Sequence, residues 1–258
     1  MVRTCKIPTM KIYSFLYSLS FYSFLIASEV NVEDILIKAF HRLDNTNYNF
    51  TLDIEYVDKK KENKQFEFNV YWPKEGNVIR QVRVNSINLK RKKPSSYWEY
   101  RFNDNSKVKR WMSLPITGKL KDISDKNFSQ DFSLSDLEIS IEEIKLNENV
   151  FQGSEIIKGN TVNIIESIKK HSDGSIIDRK KIWINSHNDL IVKVEYYTKS
   201  GRLHKVIECL NVNTIDSIDL PTLITLDNKK SKSKLLIKIL DIKINPNYNF
   251  DIFKPLDQ

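Results

Sequence analysis

The chain has 258 residues, six glycines, two cysteines and a formal charge of +8. Its length supports one large domain with a sizeable core. Only Cys209 lies beyond the first 28 residues, which excludes an intramolecular disulfide in a chain processed there. Three of the positive charges also lie in that leader, so the processed chain carries about +5, which does not by itself indicate nucleic-acid binding.

The first 28 residues predict a secretion signal. They combine basic side chains with an apolar run from Ile12 to Ala27 and contain no acidic residue. Serines interrupt this run, and it is shorter than the roughly 20 apolar residues of a membrane span. We expect cleavage near Ala27 or Ser28, with residues 29–258 forming a single exported domain.

The segment NVEDILIKAFHRLD predicts an amphipathic helix with Asn31 as its N-cap. Apolar side chains recur at helical spacing and form one stripe along the helix, and Leu36 belongs to this stripe. We expect this stripe to cover the apolar face of the strands that follow. The candidate lid residues are therefore Ile35, Ala39, Phe40 and Leu43.

Three segments alternate between apolar and polar side chains, the period of a half-buried strand. They are TNYNFTLDIEYV, QFEFNVYW and YWEYRF, and aromatic residues dominate them. If the apolar faces line a groove, the candidate binding residues are Phe50, Leu52, Ile54, Tyr56, Phe66, Phe68, Val70, Trp72, Trp98 and Tyr100. Ordinary core residues are the alternative, because alternation is the same whether the opposing surface is protein or ligand.

Further alternation predicts strands near residues 79–89, 161–169, 180–185, 190–198, 203–212, 222–227 and 234–244. Turn signals such as Asp173-Gly174 and Ser200-Gly201 predict antiparallel hairpins. Residues 114–133 predict a long loop that leads into a helix over residues 133–146. A sandwich, a closed barrel and a curved open sheet all fit this pattern. The helical stripe favours a curved sheet capped by helices, because the stripe needs an apolar surface.

The sequence predicts no catalytic residue, cofactor or metal site. It has no Gly-x-Ser-x-Gly turn and no phosphate-binding glycine loop. The histidines are scattered over predicted elements without ligand spacing: His41, His171, His187 and His204. Lys59–Lys61 and Lys90–Lys93 fit solvated turns better than a nucleic-acid site, with lipid headgroups as the alternative contact.

Four stretches from Trp98 to the C-terminus carry a family resemblance. They are WEYRFNDNSKVKRW, SQDFSLSDLE, KIWINSHNDLIVKVEYYTKSGRLHKV, and LPTLITLDN followed by LLIKILDIKINPNYNFDIFKPLDQ. In this order they resemble the outer-membrane lipoprotein-sorting protein family, relatives of the periplasmic lipoprotein carrier LolA. Ser129, Gln130 and Leu134 depart from the family's glycine, serine and tyrosine.

The resemblance implies a mainly β fold, a half-open antiparallel β-barrel whose apolar concave face is covered by helices. It implies a monomeric periplasmic carrier that holds the acyl chains of lipoproteins or other lipids without covalent chemistry. An inner-membrane transporter and an outer-membrane acceptor would be its partners. The alternative is an envelope sensor or interaction module of the same fold that binds a protein partner.

Overall fold

The computed structural model describes residues 30–43, 46–60, 62–72, 78–86, 95–102, 109–113, 117–124, 139–249 and 253. The chain divides into two compact units, Met1–Asn31 and Val32–Gln258, and every helix and strand named below belongs to the second. The predicted signal segment, the SQDFSLSDLE stretch before Ile139 and Lys90–Lys93 lie outside the described residues.

The described residues form two helices and thirteen strands. The helices are α1 (Val32–His41) and α2 (Ile141–Leu146). The strands are β1 (Tyr48–Val57), β2 (Asn63–Trp72), β3 (Val78–Ser86), β4 (Ser95–Phe102), β5 (Lys109–Ser113), β6 (Leu120–Asp122), β7 (Glu148–Ile157), β8 (Asn160–Lys170), β9 (Ile176–Asn185), β10 (Ile191–Tyr197), β11 (Leu203–Ile215), β12 (Ile218–Asn228) and β13 (Ser233–Ile244).

All strands belong to one antiparallel sheet in the order β6-β5-β4-β3-β2-β1-β13-β12-β11-β10-β9-β8-β7. Two meanders therefore meet where β1 pairs with β13, for example at Ile54 and Ile237. The sheet is open, because β6 and β7 form its two edges. A curved, half-open and mainly β architecture with few helices is confirmed.

The inner face of the sheet carries a continuous apolar row across seven strands. Directly paired residues share a face, so the register fixes this row. Its members are Ile165, Ile182, Val194, Ile207, Leu226, Leu235 and Tyr56. Ile207 and Leu226 are each only 1% exposed, and burying such a side chain stabilises the fold by about 1.5–3 kcal/mol.

Helix α1 packs on the inner face against late strands of the sheet, not against the strands that directly follow it in sequence. Leu36, on its buried stripe, contacts a cluster that includes Ile165 of β8, Ile182 of β9 and Val194 of β10. The amphipathic prediction is confirmed, but the covered strands are late ones. Curvature brings β8–β10 opposite β1, so the stripe reaches them across the fold.

Helix α2 is short and held by a capping box between Ser140 and Glu143. The Glu143 carboxylate also accepts a hydrogen bond from the buried Lys180 ammonium at 2.7 Å. Burial opposes ionisation of Glu143, but Lys180 and the Ser140 amide outweigh it and lower the pKa of Glu143. Glu143 therefore has a structural role at the start of α2.

Three of the thirteen strands lie outside the ten that alternation predicts: β5, β6 and β7. The short β6 lies inside the predicted loop over residues 114–133, which is wrong for Leu120–Asp122 because these residues pair with β5. Strand β7 has no clean alternation, since a bulge between Phe151 and Gly153 shifts its register. Lys59 and Lys60 lie exposed in the turn between β1 and β2, as expected. Neither helix in the described part of the chain has the length and apolar character needed to cross a membrane.

Candidate functional site

A cavity of about 200 Å³ opens on the concave side of the sheet. With its open mouth, the empty space between its walls is about 1450 Å³. The C-terminal end of α1 forms one wall, the ends of β1 and β2 form another, and β10–β13 form the floor. Its walls are mostly apolar and continue the core, which is typical of a site for an apolar ligand.

The sheet splits locally beside the cavity. Strand β12 pairs with β13 only up to Leu223 and Lys238, whereas the β11–β12 hairpin continues to Ile218. Pro221 lies in the part of β12 that does not pair with β13, and a proline cannot donate a ladder hydrogen bond to a neighbouring strand. The hairpin therefore parts from β13 next to the cavity lining.

A β-bulge in β13 turns extra apolar surface into this cavity. The pairing with β1 shifts between Asn49 and Thr51, and Asp241 on the bulge has a φ of 52°. Both Ile239 and Ile242 consequently line the cavity although they are three residues apart. In a regular strand only one of them would face this side.

Five of the fourteen predicted groove and lid residues line the cavity. Phe50 and Trp72 come from the sheet, and Ala39, Phe40 and Leu43 come from α1 and the turn after it. The predicted lid residue Ile35 packs in the cluster beneath α1 instead. Contact of any of these residues with a ligand stays a prediction.

Six other predicted groove residues share the inner face without lining the cavity. Leu52, Ile54 and Val70 are buried in the core beside β11–β13. The remaining three lie farther along the same face and pack against that core or beside it: Tyr56, Phe66 and Phe68. Phe66 is 41% exposed, so this end of the inner face is open to solvent.

Trp98 and Tyr100 lie on the opposite face of the sheet. Val70 pairs with Val84, which pairs with Tyr97, so the neighbouring Trp98 and Tyr100 point away from the cavity. Tyr100 belongs to an outer aromatic cluster with Tyr71, Trp111, Tyr248 and Phe253, and Trp98 is paired with Trp111 on the same face. The Tyr100 hydroxyl donates to the main-chain oxygen of Phe253, so this cluster holds Phe253 in place.

The cavity floor was not predicted from the sequence. It is lined by Ile191, Cys209, Ile224, Ile239 and Ile242. Their alternation was visible in the predicted strands. Nothing in it indicated that β13 would join β1 and bring these residues opposite Phe50.

One corner of the cavity is polar. The Arg42 guanidinium donates to the main-chain oxygen of Asp219 at 2.6 Å, and burial lowers the pKa of Arg42. Tyr48 is 5% exposed, and its hydroxyl makes no hydrogen bond of normal geometry to a described residue. Burial raises the pKa of Tyr48, while Thr46 and the Arg42 charge act in the opposite direction. An unpaired buried hydroxyl costs about 1–3 kcal/mol.

The reactivity of Cys209 tests whether this wall of the cavity is sheltered from solvent. Burial raises the pKa of its thiol to about 11. Because the thiolate is the reactive form, we expect alkylation of folded Cys5→Ser protein by iodoacetamide at pH 8 to be on the order of a hundredfold slower than in urea. Mass spectrometry of the alkylated protein measures both rates. Equal rates would show that the thiol is not sheltered.

Comparison with known proteins identifies the type of fold. A family model described as "uncharacterized protein" matches residues 90–256, and no curated protein matches the sequence. A DUF1329 family protein from Desulfovibrio piger has a TM-score of 0.70 at 17% identity, covering 86% of this chain and 95% of that chain.

Two further solved structures agree with it. A putative outer membrane lipoprotein-sorting protein domain from Vibrio parahaemolyticus gives a TM-score of 0.68 at 14% identity, covering 86% of this chain and 95% of that chain. A LolA superfamily protein from Nitrosomonas europaea gives a TM-score of 0.59 at 17% identity, covering 86% of this chain and 97% of that chain. At these identities the likeness shows the fold, and the resemblance predicted from the sequence is confirmed at that level.

Proposed function

Because the chain belongs to the family whose model matches residues 90–256, and folds like LolA-like lipoprotein-sorting proteins, we propose that it is a binding protein or carrier for acyl chains. The cargo is a lipid or a lipoprotein, and the site is the cavity beneath α1. The observation that carries this proposal is an open cavity whose apolar walls continue the core of the sheet.

The physical need for such a site is simple. An acyl chain exposed to water costs about 0.8 kcal/mol per methylene group, so a lipid does not cross an aqueous space unescorted. Walls such as Phe50, Trp72 and Ile191 offer the chain an apolar surface. Binding and release then need no covalent step, and we infer a carrier rather than an enzyme.

Helix α1 is the element that would control access. Its last turn contributes Ala39 and Phe40 to the cavity, and Leu43 follows directly. The first part of α1 is held by Leu36, which is 1% exposed. A movement confined to the last turn would widen the cavity without detaching the helix, and a partner that favours this state would promote release.

The proposed location is the periplasm, reached with the predicted signal over residues 1–28. There the protein acts as a monomer between an inner-membrane transporter and an outer-membrane acceptor. The name of the Vibrio parahaemolyticus neighbour, which refers to lipoprotein sorting, supports this assignment.

Native mass spectrometry of gently purified protein tests the proposal. We expect the wild type to carry copurified lipid as an added mass, to lose it on detergent washing, and to regain it from liposomes. A protein that is free of ligand after gentle purification and takes up none from liposomes would contradict the carrier function. That result would favour the interaction module.

A further inference from the structure

The polar corner of the cavity holds two donors that the protein itself uses only in part. The Tyr48 hydroxyl is buried and lacks a hydrogen bond of normal geometry to any described residue. Among the described residues, Arg42 donates to one main-chain oxygen, that of Asp219, and makes no ion pair with a carboxylate. Both residues line the cavity beside Phe50 and Trp72.

Two carboxylates lie near the guanidinium, and neither forms an ion pair with it among the described residues. The Asp219 carboxylate accepts from Asn188 at 2.6 Å and from Thr214, and Asp189 lines the cavity. The negative charges of Asp219 and Asp189 both favour the charged form of Arg42, so a ligand anion has to bind beside them. Lys193 is engaged elsewhere, with its ammonium 2.7 Å from Glu195 and over the Trp183 ring.

Arg42 stays charged at neutral pH although burial lowers its pKa, because a guanidinium is not deprotonated in proteins. A partly desolvated guanidinium next to an unpaired hydroxyl is a donor pair for an oxyanion. The apolar wall next to it suits a hydrocarbon chain. The two features together describe a ligand that is apolar along its length and anionic at one end.

We propose that Arg42 and Tyr48 bind the oxyanion of an amphiphilic cargo, the carboxylate or phosphate at the head of an acyl chain that fills the cavity. This inference rests on the proposed function and adds its substrate class: anionic amphiphiles rather than neutral or cationic ones. The chain enters the apolar part, and the head stays at the polar corner near the mouth.

The test uses delipidated full-length protein and the neutral fluorophore N-phenyl-1-naphthylamine, whose emission rises in an apolar site. Dodecanoate, dodecyl phosphate and dodecyltrimethylammonium then compete with it, all below their micelle concentrations. We expect either anion to displace the fluorophore at about tenfold lower concentration than the cation, as charge-assisted hydrogen bonds predict. The more effective anion identifies the head group as carboxylate or phosphate.

Tyr48→Phe removes the hydroxyl and keeps the ring. We expect it to raise the anion concentration that displaces the fluorophore by about fivefold relative to the cation concentration, the effect of one such hydrogen bond. Arg42→Gln should remove the preference between anion and cation. Tyr196→Phe is the matched control, because Tyr196 packs against the core and does not line the cavity.

The two proposals fail differently. Wild-type protein that binds the fluorophore but prefers neither head group would overturn the oxyanion site and leave the carrier function standing. A preference that persists in both Tyr48→Phe and Arg42→Gln would overturn it as well. Failure of the wild type to bind even the neutral fluorophore would overturn the carrier function and this inference with it.

Discussion

We expect replacement of Ile242 by aspartate to reduce lipid uptake by about tenfold or more, because a carboxylate placed against an acyl chain loses its hydration without gaining a partner. Ile242 lines the cavity next to the split between β12 and β13, and it is only half-buried. It is not a member of the main core cluster, so the fold should tolerate the change. Liposome uptake followed by native mass spectrometry measures the effect.

Leu240→Asp is the matched control. Leu240 lies on the same strand, is 44% exposed and does not line the cavity. We expect this variant to take up lipid like the wild type and to unfold at a similar temperature. Equal uptake by both variants would mean that the acyl chain is held elsewhere on the sheet.

Truncating Phe253 to alanine should destabilise the protein by about 3–5 kcal/mol, the usual cost for a fully buried phenylalanine. Phe253 is 1% exposed and its ring lies 5.2 Å from that of Tyr248 and 6.3 Å from that of Tyr71. The chain end would lose its hold on the outer face, where Tyr100 donates to the Phe253 oxygen. Urea unfolding followed by tryptophan fluorescence measures the loss, because Trp111 lies in the same cluster.

Phe66→Ala provides the comparison, since this ring is 41% exposed on the inner face. Truncation of an exposed side chain usually costs about 0.5 kcal/mol or less, and the stacked Phe68 ring adds little to that. A Phe253→Ala variant as stable as Phe66→Ala would show that the chain end does not contribute to the fold. Lipid uptake by Phe253→Ala should persist below its unfolding transition, because the cluster lies on the face away from the cavity.

Local patterns were sufficient to predict the type of fold. Alternation in NFTLDIEYV and QFEFNVYW puts Phe50 and Trp72 on one face of neighbouring strands, and the register confirms it. The helical stripe with Leu36 at its centre was equally readable, since residues three and four apart share a helix face. These signals depend only on neighbours in sequence.

The position of the cavity could not be predicted in this way. Leu52 and Phe50 carry the same alternation signal, yet one is buried beneath β11–β13 and the other lines the cavity. The difference depends on β13, which joins β1 from the far end of the chain.

The face of the sheet on which Trp98 lies could not be predicted from the sequence either, for a related reason. Within β4 the alternation is regular, but its phase relative to β2 depends on the register of two hairpins. A shift of one residue in either register exchanges the two faces. Pattern alone therefore predicts that Trp98 and Tyr100 share a face, and it does not predict which one.

The pairing of the first strand with the last has a consequence for how the molecule is made. Contacts between β1 and β13 join residues nearly two hundred positions apart, such as Leu52 and Ile239, and such high contact order slows folding. A nascent chain must carry Phe50 and Leu52 without their β13 neighbours until Ile244 has emerged. The cavity is thus the last part of the sheet to be completed, and a chain that stops before β13 would contain most of the strands and no cavity.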